Sequence, residues 1–425
     1  MNWDGVEREV LDLLVEYLRI DTTNPPGNER RAVAFLGRFL EEEGLEVRYV
    51  GKEPDRQNLI CRVSSGGERR GLMLLHHCDV VAANPEEWSV PPFGGVIKDG
   101  YLWGRGALDM KGLGIMEVMA MVLAHRERIP LARDLLLVVT CDEESGSGLG
   151  AAYLAGHHPQ ELEAAWCLNE GGWGWRRGEF VAIMGGFGEK GPLWVRLTAE
   201  GRSGHASLPH GENPCEHLAG ALGALLALAR PFRVLPELWT LLERLGLGAL
   251  SPEALSAHPL LQIPSLRAMF QDTMSLTTLK AGSRVNVIPD RAEATLDLRL
   301  LPGRTTQAAL EELRQALPPG PFRLDPILTT EASSSPVDTP LFQCMERMSE
   351  RFFPGIPFVP AIAPYFTDSR CLRPLGIHCY GWMPILLDQE ELARMHGKDE
   401  RIKLQDLGLG TRVIFEMIRE LCGRP

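Results

Sequence analysis

Leu72-Met-Leu-Leu-His76-His77-Cys78-Asp79 is a four-residue apolar run that breaks off into two imidazoles, a thiol and a carboxylate. A run this short suits a buried strand, and its polar end marks where the chain leaves the core. The form recurs. Leu135-Leu-Leu-Val-Val-Thr-Cys141 ends in Asp142-Glu143-Glu144, and Ala165-Trp-Cys-Leu168 ends in Asn169-Glu170, while Leu59 to Val63 is a fourth such run. Between the first two, Gly112 to His125 has helical spacing. Strands alternating with helices predict an α/β domain built on a mostly parallel sheet.

Working outward, Val6, Val10, Leu13, Leu14, Tyr17 and Leu18 recur at the spacing of an amphipathic helix. A second helix is expected from about Arg31 to Glu43, closed by Gly44 as its C-cap. Downstream the character changes near Gly188. Pro192 to Glu200 alternates as a half-exposed strand, Cys215 to Leu228 reads as an Ala/Leu-rich helix, and Met274 to Leu279 and Ala292 to Leu300 read as strands. This is the pattern of a small α+β domain with an antiparallel sheet. Leu235 to Ala268, rich in Leu and Pro, is expected to be a helical insertion within it. Pro302-Gly303 is the expected return point, and a last helix is expected from Leu404 to Leu421. The predicted organisation is one large domain from 1–188 and 303–425, with a second domain, 189–302, inserted into it and carrying the insertion at 235–268.

A chain of 425 residues exceeds what one core usually supports, which agrees with two domains. The net charge of −12 opposes nucleic acid as a partner, because phosphate binding needs a basic surface. No apolar run approaches the ~18 residues of a membrane span, and the first residues lack a basic stretch followed by an apolar one. The nine cysteines are scattered without a Cys-x-x-Cys pair, as in a protein kept reduced. A cytoplasmic protein with no membrane partner is the expectation.

The three polar strand ends bring together the residue types that bind metal. Between the first two lies Gly104-Arg-Gly-Ala-Leu-Asp109-Met-Lys-Gly112, and late in the chain His396 stands in Met395-His-Gly-Lys-Asp-Glu400. Burying several carboxylates together without a cation costs several kcal/mol each or forces large pKa shifts, roughly the difficulty a divalent ion removes. Imidazole with carboxylate suits zinc, with cobalt or manganese as alternatives. Two ions about 3.5–4 Å apart need a shared carboxylate, and Asp109 stands on a loop able to supply it. Of Glu143 and Glu144, one can bind metal while the other takes a proton from water. Both roles need the turn that Ser145-Gly146 supplies, since neighbours on a strand point apart. Taken singly, these signals are weak: Glu-Glu is commonly a solvated pair, and Asp109 alone could merely cap a helix. Their joint order carries the reading.

In that order, His77-Cys-Asp79-Val-Val, Gly104-Arg-Gly-Ala-Leu-Asp109-Met-Lys-Gly112, Asp142-Glu-Glu144, Asn169-Glu170-Gly and Gly204-His205-Ala-Ser-Leu-Pro209 closely resemble the M20 metallopeptidases, a family of N-deacylases and exopeptidases. The resemblance runs over nearly the whole chain. It implies a di-zinc aminopeptidase-like catalytic domain with an inserted ferredoxin-like dimerisation domain. It also implies two metal ions, one on His77, Asp109 and Glu170 and the other on Asp109, Glu144 and His396. Glu143 matches the general base and Asp79 the carboxylate behind His77. The Asp109–Met110 bond falls where the family has a cis peptide, and Glu at 170 is of the aminoacylase and desuccinylase type. His205 and Asn286 match residues that reach the partner subunit's active site in a homodimer. Arg299 matches a substrate-contacting arginine, and Arg370 the arginine that holds the substrate carboxylate, a task a guanidinium performs with two parallel hydrogen bonds. The implied reaction is hydrolysis of an N-acyl amino acid or short peptide with a free carboxylate. A ureido or carbamoyl amide is the alternative substrate, and a non-catalytic metal-binding protein the alternative class.

Other residues carry plainer expectations. His76, next to His77 on a strand, points the other way and is structural. Cys78 packs in the core. The remaining histidines carry no motif, Trp173 and Trp175 either line a pocket or pack, and Gly146-Ser-Gly148-Leu-Gly150 has the wrong spacing, beside acidic residues, for a dinucleotide loop.

Overall fold

The computed structural model describes residues 1–424, with all side chains except those of Glu68 and Arg69; Pro425, the last residue of the expected large domain, lies outside the described residues. Along the chain come helices α1 (Trp3–Leu18) and α2 (Arg30–Glu42), strands β1 (Val47–Glu53), β2 (Arg56–Val63) and β3 (Glu68–His77), and helix α3 (Lys111–Arg126). Strands β4 (Arg133–Thr140), β5 (Trp166–Arg177), β6 (Phe180–Glu189) and β7 (Gly191–Glu200) follow, then α4 (Pro214–Leu226), β8 (Thr273–Ala281), β9 (Arg291–Leu300), α5 (Thr306–Ala316) and β10 (Phe322–Thr329). The chain closes with α6 (Pro340–Phe352), β11 (His378–Asp388) and α7 (Leu404–Cys422). These elements form two compact units. The first comprises Met1–Phe187, Ser335–Ala361 and the chain from Thr367 onward; the second comprises Gly188–Ser334 and Ile362–Phe366.

In the first unit the central strands β4, β3, β5 and β11 run parallel, and β1 and β2 extend the sheet antiparallel on one side, as β6 does on the other. Every residue of α3 from Lys111 to Ala124 is buried, as befits a helix that is apolar almost all round and packs between the sheet and helices α1 and α7. Opposite it, Met73, Leu75, Leu136, Val138, Cys167 and Cys379 of the sheet pack with Leu154, Leu162 and Leu372. Asn2 caps α1 through the Gly5 amide, and Gly44, in the left-handed region at φ 81°, turns the chain out of α2. Among the described residues no helix is long and apolar enough to cross a membrane.

The second unit has the order β-α-β-β-α-β, with its antiparallel sheet arranged β8-β9-β7-β10 and α4 and α5 on one face. This is the ferredoxin-like arrangement. Leu193, Val195 and Leu197 alternate inward from β7 to meet Leu218, Leu222 and Leu225 of α4 and Leu310 and Leu313 of α5. The stretch expected to be a helical insertion folds as short helices, Trp239–Arg244, Pro252–Ala257 and Pro264–Arg267 among them. The return at Pro302-Gly303 needs correcting. The chain stays in the second unit to Ser334, because α5 supplies part of the core and β10 pairs with β7 from Phe322↔Ala199 to Thr329↔Leu193. The two-residue Pro-Gly punctuation is only a turn between β9 and α5.

Candidate metal centre

His77 is the last residue of β3, opposite Thr140 of β4. Its Nδ1 faces the main-chain carbonyl of Asp79 at 3.0 Å, and a carbonyl can only accept, so Nδ1 carries the proton and the Nε2 lone pair is left for another partner. That Nε2 lies 3.1 Å from Asp109 Oδ1 and 3.8 Å from Glu170 Oε1. The other oxygen of Asp109, Oδ2, is 2.9 Å from His396 Nε2, which is 3.4 Å from Glu144 Oε2. Asp109 thus presents one oxygen to each imidazole. Its peptide bond to Met110 is cis.

The acidic residues are held in place by one another's neighbours. Asp142 takes the left-handed region at φ 66°, braced by Arg56 (2.9 Å), Asn24 (3.2 Å) and the amide of Leu149 (3.0 Å). After it, Glu143–Ser145 form a single 3₁₀ turn closed by Gly146 at φ 106°, which splits the two glutamates as the sequence required. Asp79 fixes this turn: its Oδ1 accepts from the Glu143 amide and its Oδ2 from the Glu144 amide, both at 3.1 Å, and from Asn24 at 2.8 Å. The expectation for Asp79 therefore changes in detail. Its carbonyl orients His77, whereas its carboxylate sits 3.5 Å from His77 Nδ1 and anchors the glutamate turn. Glu170 is not at a strand end. It lies inside β5, followed by Gly171 at φ 105°, where the pairing of β11 with β5 shifts register.

Charge and geometry both fit a divalent cation. Two groups of ligand atoms, His77 with Asp109 and Glu144 and His77 with Glu143 and Glu170, each lie within 4.8 Å of one another. Two ligands of one tetrahedral zinc, each at about 2.0–2.1 Å, sit about 3.3 Å apart. The four imidazole–carboxylate separations, 2.9, 3.1, 3.4 and 3.8 Å, span that value. Burial, then repulsion from Glu170, raises the Glu143 carboxyl well above the usual range; burial and Asp109 do the same to Glu170, and Glu144 is raised mainly by burial. Hydrogen bonds that it donates to the carboxylates of Asp109 and Glu144 push the His396 imidazole up to about 10. One oxygen of Glu144, Oε1, is buried without a partner among the described residues. The cluster gathers more negative charge than its two imidazoles can balance, which is the deficit bound cations would fill.

The second unit holds three more of the expected residues. His205 stands on a two-stranded ribbon, Gly204–His205 against Val287–Ile288, and Asn286 immediately precedes its second strand, where its carbonyl accepts from the Ala206 amide at 3.1 Å. His205 Nδ1 accepts from the Ser207 amide (3.2 Å), so a neutral His205 carries its proton on Nε2. Arg299 is paired through two hydrogen bonds with Asp297 (2.7 and 3.0 Å), between the rings of Trp194 and Phe366. In the first unit Arg370 donates to the Gly146 carbonyl at 2.9 Å, against the turn that carries Glu143.

Three residues went unread in the sequence. Buried Asp368 accepts from Thr140 (2.7 Å) and Ser147 (2.5 Å), tying the glutamate turn to the segment that bears Arg370. Its one sequence signal is its place two residues before that arginine. Asn24, in Thr-Asn-Pro-Pro, bridges Asp79 and Asp142. Glu400 closes the His396 motif and is fully buried. His76 and Cys78 are both buried, and His76 turns toward Glu117 at 3.1 Å. Trp175 packs, only 4% exposed, against Phe180.

Residues 73–420 match the model of Peptidase family M20/M25/M40. The chain is 32% identical over 449 aligned positions to the N-fatty-acyl-amino acid synthase/hydrolase PM20D1 of Xenopus tropicalis, covering 97% of this chain and 86% of that protein. It is 26% identical over 427 positions to aminoacylase-1 of Sus scrofa, covering 99% and 97%. Among solved structures it shares the fold of the M20 family metallo-carboxypeptidase Sso-CP2 from Sulfolobus solfataricus, with a TM-score of 0.76 at 20% identity over 97% and 99% of the two chains. With the ordered motifs and the match across most of its length, the chain belongs to peptidase family M20/M25/M40.

Proposed function

We propose that this hydrolase cleaves the amide bond of N-acyl amino acids, or of short peptides with a free carboxylate, at a site that holds two divalent ions, zinc first. The observation that carries the reading is the placement of the two oxygens of Asp109 against His77 and His396. In this reading His77, Asp109 and Glu170 hold one ion, and Asp109, Glu144 and His396 the other. Bound there, the ions supply Lewis acidity that lowers the pKa of water and polarises a carbonyl.

The chain's own groups do the rest. Glu143 is the buried carboxylate assigned to accept the proton of the attacking water and pass it to the leaving amine, and burial raises its affinity for that proton. Asp79 holds Glu143 and Glu144 at their amides and keeps them apart. His205 offers an Nε2–H donor suited to the oxygen that gains charge, and Asn286 stands in the turn that leads into the facing strand. Arg370 and Arg299 are the two guanidiniums assigned to the substrate carboxylate and its surroundings. We assign the second unit, Gly188–Ser334 with Ile362–Phe366, the role of dimerisation domain in a cytoplasmic homodimer, where His205 and Asn286 of one subunit serve the site of its partner. The N-acyl amino acid class is supported by two relatives, one named for N-fatty-acyl amino acids and one as an aminoacylase.

The test is hydrolysis by metal-stripped protein, with zinc, cobalt or manganese restored, across N-acetyl, N-succinyl and N-fatty-acyl amino acids and dipeptides. Metal-dependent turnover of the N-acyl amino acids is expected. Turnover that survives stripping, or confined to ureido compounds, contradicts the reading.

A further inference from the structure

Glu400 is fully buried, yet its carboxylate spends all its hydrogen bonds on one short loop. Oε1 accepts from the amides of Leu108 (2.7 Å) and Asp109 (3.0 Å); Oε2 accepts from the Gly106 amide (3.0 Å) and from Arg105 Nη1 (2.6 Å). The link is reinforced on both sides. The Glu400 carbonyl accepts from the Gly104 amide at 3.0 Å, and Arg105 Nη2 donates to the Gly397 carbonyl at 2.7 Å. Next to it, Asp399, at φ 58°, accepts from the amide (2.7 Å) and hydroxyl (2.8 Å) of Ser89. A buried carboxylate costs several kcal/mol in water lost unless donors replace that water, and here four donors do so.

The donors end at the amide of Asp109 itself, and the carboxylate belongs to the loop that carries His396 four residues earlier. We propose that Glu400 is the positioning residue of the metal centre: it sets the distance between Asp109 and His396. This rests on the metal reading above. At the position built from Asp109, Glu144 and His396, two of three ligands are referenced to Glu400, whereas at the position built from His77, Asp109 and Glu170 only Asp109 is. Loss of Glu400 therefore weakens the two positions unequally, which a general loss of stability does not do.

The experiment titrates metal-stripped wild-type protein and Glu400→Gln with Zn(II) against a competing chelator, and with Co(II) followed by its visible absorption. Glutamine keeps the size but turns an NH₂ toward N–H donors. Wild type takes up two ions. In Glu400→Gln one ion is expected to bind about 10–100-fold more weakly, the usual size of a lost supporting partner, while the other changes less, and the Co(II) band of the weakened position shifts. Turnover should recover at high metal concentration. Arg105→Lys, which keeps a charge beside Glu400 but cannot also reach Gly397, covers the case in which Glu400→Gln does not fold; it should move the same position in the same direction. Folded variants that bind both ions as wild type does overturn this proposal alone, as does a lower melting temperature with the two affinities in unchanged ratio. Wild type that takes up fewer than two ions overturns the metal reading and this proposal with it.

Discussion

The roles proposed for Glu143 and Asp79 separate the chemistry of the site from its scaffolding. Glu143 is proposed to move the proton and to bind no metal, so Glu143→Ala should keep both ions and lose turnover by about 10²–10⁴-fold. Metal analysis beside initial rates checks it; a rate near wild type would remove Glu143 as the base. Asp79 acts through other residues. Asp79→Asn leaves one acceptor oxygen for two amides, from Glu143 and Glu144, and turns an NH₂ toward one of them. The glutamate turn should loosen, and turnover should fall about 10–100-fold with a loss of metal affinity that the Glu143 variant does not show. Equal metal binding in the two variants contradicts the anchoring role.

At the scale of single elements, the strands that deliver His77 and the glutamates were legible because their apolar runs end abruptly in polar residues. The direction of each imidazole was legible too. Neighbours on a strand diverge, and His76 duly points into the helical layer, where a Cβ on Gly114 of α3 would come within 2.4 Å of its ring. What the pattern hid was Glu170, placed by a register shift between two strands distant in sequence. Glu400 and Asp368 were hidden for the same reason: their partners lie 291 to 295 and 221 to 228 positions away, and no local period marks such a bond. The N-terminus of α7 offers a test of buried charge at this scale. Asp406 stands in its first turn with Oδ2 unpartnered among the described residues, and burial pushes its carboxyl up to about 6. A carboxyl with a folded pKa above its unfolded value, about 3.9, binds its proton more tightly when folded, so it removes stability as pH rises through that window. Asp406→Asn should raise stability by on the order of 2 kcal/mol at pH 8 and by much less near pH 4.5. Denaturant unfolding at the two pH values decides it, and an equal gain at both contradicts the account.

For the whole molecule, the sequence revealed two domain characters and the point where the second begins, but it misplaced the return. A βαββαβ unit completes its sheet only with its last strand, and that strand's partner, β7, lies more than a hundred residues earlier. The proposed dimer is a claim at this scale: light scattering should give twice the 47.1 kDa chain mass, and a monomer of full activity would refute the sharing of His205 between subunits. The central claim concerns the two oxygens of Asp109, and anomalous diffraction at the zinc edge from zinc-soaked crystals tests it most directly. The account predicts two peaks about 3.5–4 Å apart on either side of that carboxylate, one beside His77 and one beside His396. A single peak, or ions away from Asp109, would contradict it.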